Sequence, residues 1–156
     1  MITLDTNTIG KSTTQYDGFE FDSMARFGSV YLGVNENGLF VIGAPDDDGQ
    51  PIEASFELPT VDLGSGNIKR LRFLYMGAEL YGDMLCTLHT DGKEDGREYD
   101  IPYNGRGGQQ RVRVPIGRDD QGRYWRPAFA NVNGGDFSVD SISVLPVVLH
   151  PGYGAL

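Results

Sequence analysis

The sequence predicts an all-β protein, an antiparallel β-sandwich that is jelly-roll-like and has about eight or nine strands. Short stretches in which apolar and polar residues alternate recur along the chain, and this is the period of a half-buried strand. The 22 glycines and 8 prolines fall largely between these stretches and mark turns. No segment keeps a helical period for more than about two turns, so helices are expected only as short caps.

The 156 residues are most simply a single β-sandwich domain at 16–149, with a polar N-terminal arm at 1–15 and a C-terminal tail at 150–156. The first residues lack a basic region followed by an apolar core, and no apolar run is long enough to span a membrane. We therefore expect neither a signal peptide nor a membrane partner. The lone Cys86 leaves no partner for an internal disulfide and fits folding in a reducing cytosol.

The first strands are expected around turns rich in Asn, Asp and Gly. Gly28–Val34 and Leu39–Ile42 flank the sequence NENG at 35–38, and Asn-Gly is a strong hairpin signal because both residues tolerate positive φ. A second turn at 46–49 leads into Ile52–Leu58, where the even-numbered residues are apolar and the odd-numbered interior ones polar. This alternation predicts a strand with one buried face.

Further strands are predicted at Ile68–Met76, Asp83–His89, Arg97–Ile101, Gln110–Ile116, Tyr124–Val132 and from Phe137 onward. In the first of these we expect Leu71, Phe73 and Tyr75 to point inward. In the last strand the apolar residues change parity, so we predict a β-bulge near Asp140-Ser141.

The formal net charge is −9, with the acidic residues concentrated in 1–100. An acidic chain lacks the positive footprint that phosphate binding needs, so no nucleic-acid partner is expected. The segment 106–126 is rich in arginine, which is over-represented at protein interfaces, although an uneven solvated surface would explain the same pattern. The candidate interface residues are Arg106, Arg111, Arg113, Arg118, Arg123 and Arg126.

No residues form a recognisable catalytic pattern, so we predict no enzyme activity, no catalytic residue and no cofactor. Cys86 and His89 take opposite faces of a strand and cannot form a dyad. The turn aspartates Asp46, Asp47 and Asp48 offer oxygen ligands for calcium, but solvated aspartates capping a turn explain them as well. No metal site is predicted beyond this candidate.

Three aromatic residues are candidates for stacking on a sugar ring, namely Tyr103, Tyr124 and Trp125. Tyr124 and Trp125 have opposite strand parity, so we expect one in the core and the other outside. An exposed ring beside Arg123 and Arg126 would also serve as an interface anchor.

Two segments together resemble small structural proteins of tailed bacteriophages and domains of larger ones. The first is NENGLF at 35–40 with DDG at 47–49, and the second is GRYW at 122–125 with NVNGGDFSVDSI at 131–142. Lys69-Arg70 between them fits the same pattern. The resemblance spans most of 16–149 and implies that the second segment closes a β-sandwich.

The resemblance also implies a non-enzymatic virion structural protein, most simply of the tail or baseplate, made in the host cytoplasm. Such a protein assembles as a symmetric homo-oligomer and docks on other virion proteins, and the resemblance supplies no catalytic residues. Two alternatives stay open. The run FSVDSI also resembles the last strand of carbohydrate-binding sandwiches, which favours a module that binds a host-surface glycan or receptor, and a head decoration protein fits the same residues.

Overall fold

In the computed structural model, residues 3–7, 12–16, 20–44, 46–47, 49–93 and 95–150 are described. Within these ranges the structure is all-β and contains no helix, which confirms the predicted fold class. The chain divides into two compact units, 1–45 and 46–156. This division differs from the expected single domain at 16–149.

The first unit contains two small antiparallel sheets. Strands β1 (Thr3–Asn7) and β2 (Ser12–Tyr16) form a hairpin within the segment expected to be a polar arm. Strands β3 (Ser23–Phe27), β4 (Val30–Asn35) and β5 (Gly38–Ile42) form a three-stranded meander. The predicted hairpin at 35–38 is confirmed, since Asn35 and Gly38 are register partners.

The second unit is the sandwich, with eight strands. They are β6 (Ser55–Glu57), β7 (Ile68–Leu80), β8 (Met84–Thr90), β9 (Arg97–Ile101), β10 (Gln110–Pro115), β11 (Gln121–Gly122), β12 (Trp125–Asn131) and β13 (Phe137–His150). The tail segment 151–156 lies outside the described residues.

The two sheets of the sandwich are each antiparallel. In the first sheet β7 is central, with β13 on one side and β10 and β11 on the other. In the second sheet the order is β6-β12-β8-β9. Strand β7 pairs with β13 in the first sheet, and β8 pairs with β12 in the second sheet. The chain therefore crosses between the two sheets from β7 to β8 and again from β12 to β13.

The core lies between these sheets and is almost entirely apolar. Trp125 and Phe129 from β12 are its largest aromatic side chains, and Trp125 is 1% exposed. The other fully buried apolar residues are Leu71, Leu74, Met76, Ala78, Leu80, Met84, Cys86, Leu88, Ile101, Val114 and Ile116. Alternate residues of β7, β8 and β12 supply most of this set, as the period of two requires.

One buried cation stands among these apolar residues. Lys69 is 1% exposed, and its Nζ donates hydrogen bonds to the carbonyl oxygens of Ser65 and Asn67, the latter at 2.9 Å. A buried ammonium group is tolerated when its protons are bonded, so Lys69 fixes the loop that leads into β7.

The prediction of which β7 side chains point inward is partly wrong. Leu71 is buried as predicted, but the next buried residues are Leu74 and Met76, so Phe73 and Tyr75 point to the outer face. The cause is a register shift against β13, where Leu145 pairs with Phe73 and Pro146 with Leu71. This leaves Arg72 without an opposite residue, and one extra residue reverses the parity of everything after it.

The predicted bulge near Asp140-Ser141 is confirmed, because Val139 pairs with Ala78 and Ser141 with Gly77. Strand β6 is shorter than expected, and Ile52 at the start of the predicted strand is 43% exposed. The Asn131 side chain explains this, since it donates to the Ile52 carbonyl at 2.9 Å and accepts from the Ala54 amide at 2.8 Å. The Asn131 side chain thus takes the place of ladder bonds at the Ile52 carbonyl and the Ala54 amide, while the Ala54 carbonyl still accepts from the Asn131 amide at 3.0 Å.

The two connections that cross between the sheets pack against each other. The Tyr81 amide donates to the Asp136 carbonyl, and the Val132 amide donates to the Asp83 carbonyl, both at 2.9 Å. Between these bonds a Cβ on Gly82 would lie 2.7 Å from Gly135 Cα. Only glycine permits this backbone approach, so the two crossings are fixed side by side.

We expect Gly82→Ala to lower the free energy of unfolding by about 1–3 kcal/mol, because the added methyl group must separate two backbones. Chemical denaturation measures this. Gly107→Ala is the matched control, since a Cβ there meets nothing within 4 Å and its φ is not positive. Equal stability of the two variants would contradict the packing of the crossings.

Cys86 is a buried core thiol, and burial raises its pKa from 9.0 to about 12. The unfolded chain loses this proton above pH 9 and the folded chain does not. The contribution of Cys86 to stability is therefore complete below pH 9 and is lost as pH rises from 9 towards 12.

Iodoacetamide should label Cys86 far more slowly in the native protein at pH 8 than in denaturant, because the native thiol is both protonated and covered. Mass spectrometry of timed samples measures the two rates. Similar rates in both conditions would show that the thiol is accessible.

Candidate functional site

The six arginines of the candidate interface lie on different surfaces of the sandwich. Arg111 and Arg113 point outward from β10 on the first sheet. Arg126 is on the outer face of the second sheet, where its Nη1 lies 3.2 Å from Glu57 Oε1. The other three are exposed in loops, at Arg106, Arg118 and Arg123. The six arginines therefore do not share one sheet face, and their role at an interface stays a prediction.

The three aromatic sugar candidates do not form a shelf. Trp125 is buried in the core, which excludes it as an exposed stacking ring, and its Nε1 donates to the Gly122 carbonyl at 3.2 Å. Tyr124 is 47% exposed, which confirms the prediction that one of Tyr124 and Trp125 lies in the core and the other outside it. Tyr103 is half-buried near Met84, at the start of β8, whereas Tyr124 lies near Thr90, at the end of the same strand. The two ends of β8 are about 20 Å apart.

Cys86 and His89 lie on opposite faces of β8, as predicted. Cys86 points into the core, whereas His89 is half-buried on the outer side of the sheet. Gly96 lies directly against His89, since a Cβ on Gly96 would be 2.9 Å from His89 Cε1. Within the part of the chain that the structure describes, His89 Nδ1 is buried without a hydrogen-bond partner. The two side chains are therefore separated by the sheet.

The turn at 46–49 shows the local role of Asp46. Its Oδ1 accepts a hydrogen bond from the Gly49 amide at 2.9 Å, and Asp47 pairs with Gln50. These bonds match the turn-capping interpretation of the aspartates. Asp48, the third residue of the calcium candidate, lies outside the described residues.

The outer face of the first sheet carries an arginine–aromatic ladder, formed by Phe73, Tyr75, Arg111 and Arg113. The Arg111 guanidinium lies 4.4 Å from the Tyr75 ring centroid, and that of Arg113 lies 5.0 Å from the Phe73 centroid. Each pair connects β10 to β7 diagonally across the sheet, and such contacts hold a guanidinium in a fixed position.

Beside this ladder is an open trough of about 390 Å³. Tyr75 and Arg111 form one wall, Asp140 and Ser141 from the β13 bulge form the other, and Gly77 lies between them. A Cβ on Gly77 would overlap Asp140 Oδ1 and Ser141 Oγ. The glycine therefore makes the space in which these two side chains cross β7.

The meander of the first unit presents an exposed apolar face. Register pairing places on this side Ser23 and seven apolar residues, Ala25, Phe27, Val30, Leu32, Val34, Leu39 and Val41, and we refer to these seven as the apolar face. Phe27 keeps 78% of its surface exposed and Leu39 keeps 69%. On the opposite side Phe21 lies against Gly33 and 5.8 Å from the Phe40 ring centroid, so Phe21 covers part of that side, while Met24 and Tyr31 there remain exposed.

Only part of these surfaces could be predicted from the sequence. The apolar character of β4 and β5 is visible in the sequence, but a strand that faces a core has the same character. Gly77, Tyr75 and Asp140 carried no pattern that joins them, because they meet only through the pairing of β7, β10 and β13. The positions of Tyr75 and Phe73 depended on the unpredicted bulge at Arg72.

In the described part of the chain no helix is long and apolar enough to cross a membrane. Comparison of the chain with protein-family models, with curated proteins and with solved structures finds no match.

Proposed function

We propose that this protein is a non-enzymatic structural component of a tailed-bacteriophage virion, of the tail or baseplate, and that it assembles with copies of itself through the apolar face. The observation that carries the proposal is the apolar face of the three-stranded meander, on which six of the seven side chains are exposed and Leu32 is half-buried. The resemblance of the segments around 35–49 and 122–142 to phage structural proteins supports the virion setting.

The size of the apolar face fits an interface between copies. Its seven side chains expose on the order of 500 Å² of apolar surface, more than scattered surface residues give. If the same face of a second copy covers it, about 1,000 Å² leaves water, which is the size at which specific interfaces begin. Further contacts in a ring of copies would add to this area.

The chemistry of the apolar face also favours a copy of the same chain. The chain carries a net charge of −9, so two copies repel each other wherever acidic surfaces meet. The apolar face has no ionisable side chain, and it therefore provides a place where two copies meet without charge repulsion. Two sheets packed face to face bury their side chains at about 10 Å separation, as in a sandwich core.

We expect the wild-type protein to be oligomeric and Leu39→Lys to dissociate it. A lysine placed in the apolar face loses its hydration on association, which should weaken the contact by about 3 kcal/mol, roughly a hundredfold in dissociation constant. Analytical ultracentrifugation across a concentration series measures this. Circular dichroism and thermal unfolding establish that the variant is folded.

Met24→Lys is the control for Leu39→Lys, because Met24 is 53% exposed on the other side of the same meander. It should leave the oligomer intact. A monomeric wild-type protein at all concentrations, or equal dissociation by both variants, would contradict assembly through the apolar face.

The virion setting has its own test. Antibody raised against the chain and detected by immunogold electron microscopy should label particles from a lysate of the source at one defined position. Label on the tail supports the proposal, and label on the head would replace the tail assignment with head decoration. Protein found only free in the lysate, with unlabelled particles, would contradict a structural role.

A further inference from the structure

We propose that the trough on the first sheet binds a neutral saccharide unit, a function beyond assembly and at residues other than the aromatic candidates. Its volume of about 390 Å³ lies at the lower end of the range of small-molecule sites, which begins at about 300 Å³. A trough of this volume accommodates a single sugar ring, and its open ends leave room for the neighbouring rings of a longer saccharide.

The trough is a built feature of the sheet and not a gap between loops. Three adjacent strands form it, and its floor depends on Gly77 in the middle of β7. Any side chain at this position would overlap Asp140 Oδ1 and Ser141 Oγ. A glycine inside a strand weakens it, and such a glycine often marks a site where another group must approach the backbone closely.

The β13 bulge arranges the acceptor side of the trough. Because Asp140 is the extra residue between Val139 and Ser141, two consecutive side chains line the same trough. Ser141 Oγ donates to Asp140 Oδ1 at 2.9 Å, which orients the carboxylate. Among the described residues no group donates to the second oxygen, Asp140 Oδ2, so it is open to a ligand hydroxyl.

Arg111 forms the donor side of the trough. Its guanidinium is held 4.4 Å from the Tyr75 ring centroid and makes no ion pair with the described residues. The stacking fixes the plane of the guanidinium without using its N–H groups, so these donors stay available to a ligand. Ser143, the register partner of Tyr75, adds a hydroxyl along the same line.

This set of groups matches a polyhydroxylated ring. Each sugar hydroxyl both donates and accepts a hydrogen bond, so a carboxylate on one wall and a guanidinium on the other satisfy different hydroxyls. One Arg and one Asp leave the trough without net charge, which favours a neutral sugar. An anionic ligand would gain from Arg111 but would meet repulsion from Asp140.

The test is saturation-transfer NMR followed by titration with glucose, galactose, mannose, rhamnose and N-acetylglucosamine, and with neutral polysaccharides from bacterial surfaces. At least one of these should bind the wild-type protein. Arg111→Gln and Asp140→Asn should each weaken that binding about tenfold or more, because each removes a charge-assisted hydrogen bond. Binding of the polysaccharide alone would identify an extended chain as the source of the sugar.

Arg113→Gln is the matched control, since Arg113 stacks on Phe73 in the same ladder but does not line the trough. It should bind the sugar as the wild type does, and so should the Leu39→Lys variant, which separates this result from the assembly test. Glucuronic acid is titrated in parallel as the charged comparison. Three outcomes would overturn the proposal: no binding by any neutral saccharide, equal binding by all variants, or preference for glucuronic acid over the neutral sugars.

Discussion

The pairing of β7 with β13 determines most of what this protein presents to its surroundings. The two strands run antiparallel over nearly their whole length, and β7 also pairs with β10 and β11, so it is the central strand of the first sheet. The pairing contains irregularities at 139–141, 145–146 and 148–150. An extra residue on either strand changes which side chains face the core, and the first two shifts account for both the outward aromatic pair and the Asp140 wall of the trough.

The two units differ in the chemistry of their exposed faces. The sandwich buries its apolar residues between two sheets, and the outer face of its first sheet carries Arg, Asp, Ser and Tyr side chains around the trough. The meander of the first unit instead leaves one whole apolar side exposed. Under the two proposals above, the apolar face would serve association and the polar trough would bind a saccharide, so the two roles would use different residues.

Much of the fold was predictable because its signals are local. The Asn-Gly hairpin, the strands β10 and β12, the opposite placement of Tyr124 and Trp125 and the bulge at Asp140 follow from turn chemistry and from parity within one strand. Parity alone does not decide which of Tyr124 and Trp125 enters the core. The candidate sites were less predictable. The six arginines are close in sequence but belong to two sheets and several loops, and Gly77 is far in sequence from Asp140 although it lies directly beneath it.

The sequence by itself determined the all-β class, most strand positions, the turns and the inward side of the regular strands, because each depends on residues a few positions apart. Only the tertiary structure decided which apolar surfaces are covered, where the outer faces of the two sheets lie and which polar residues share a trough. Apolar alternation is the same in a strand over a core and in one that faces solvent. The difference lies in what packs against the strand, and a strand's own residues do not encode its neighbour.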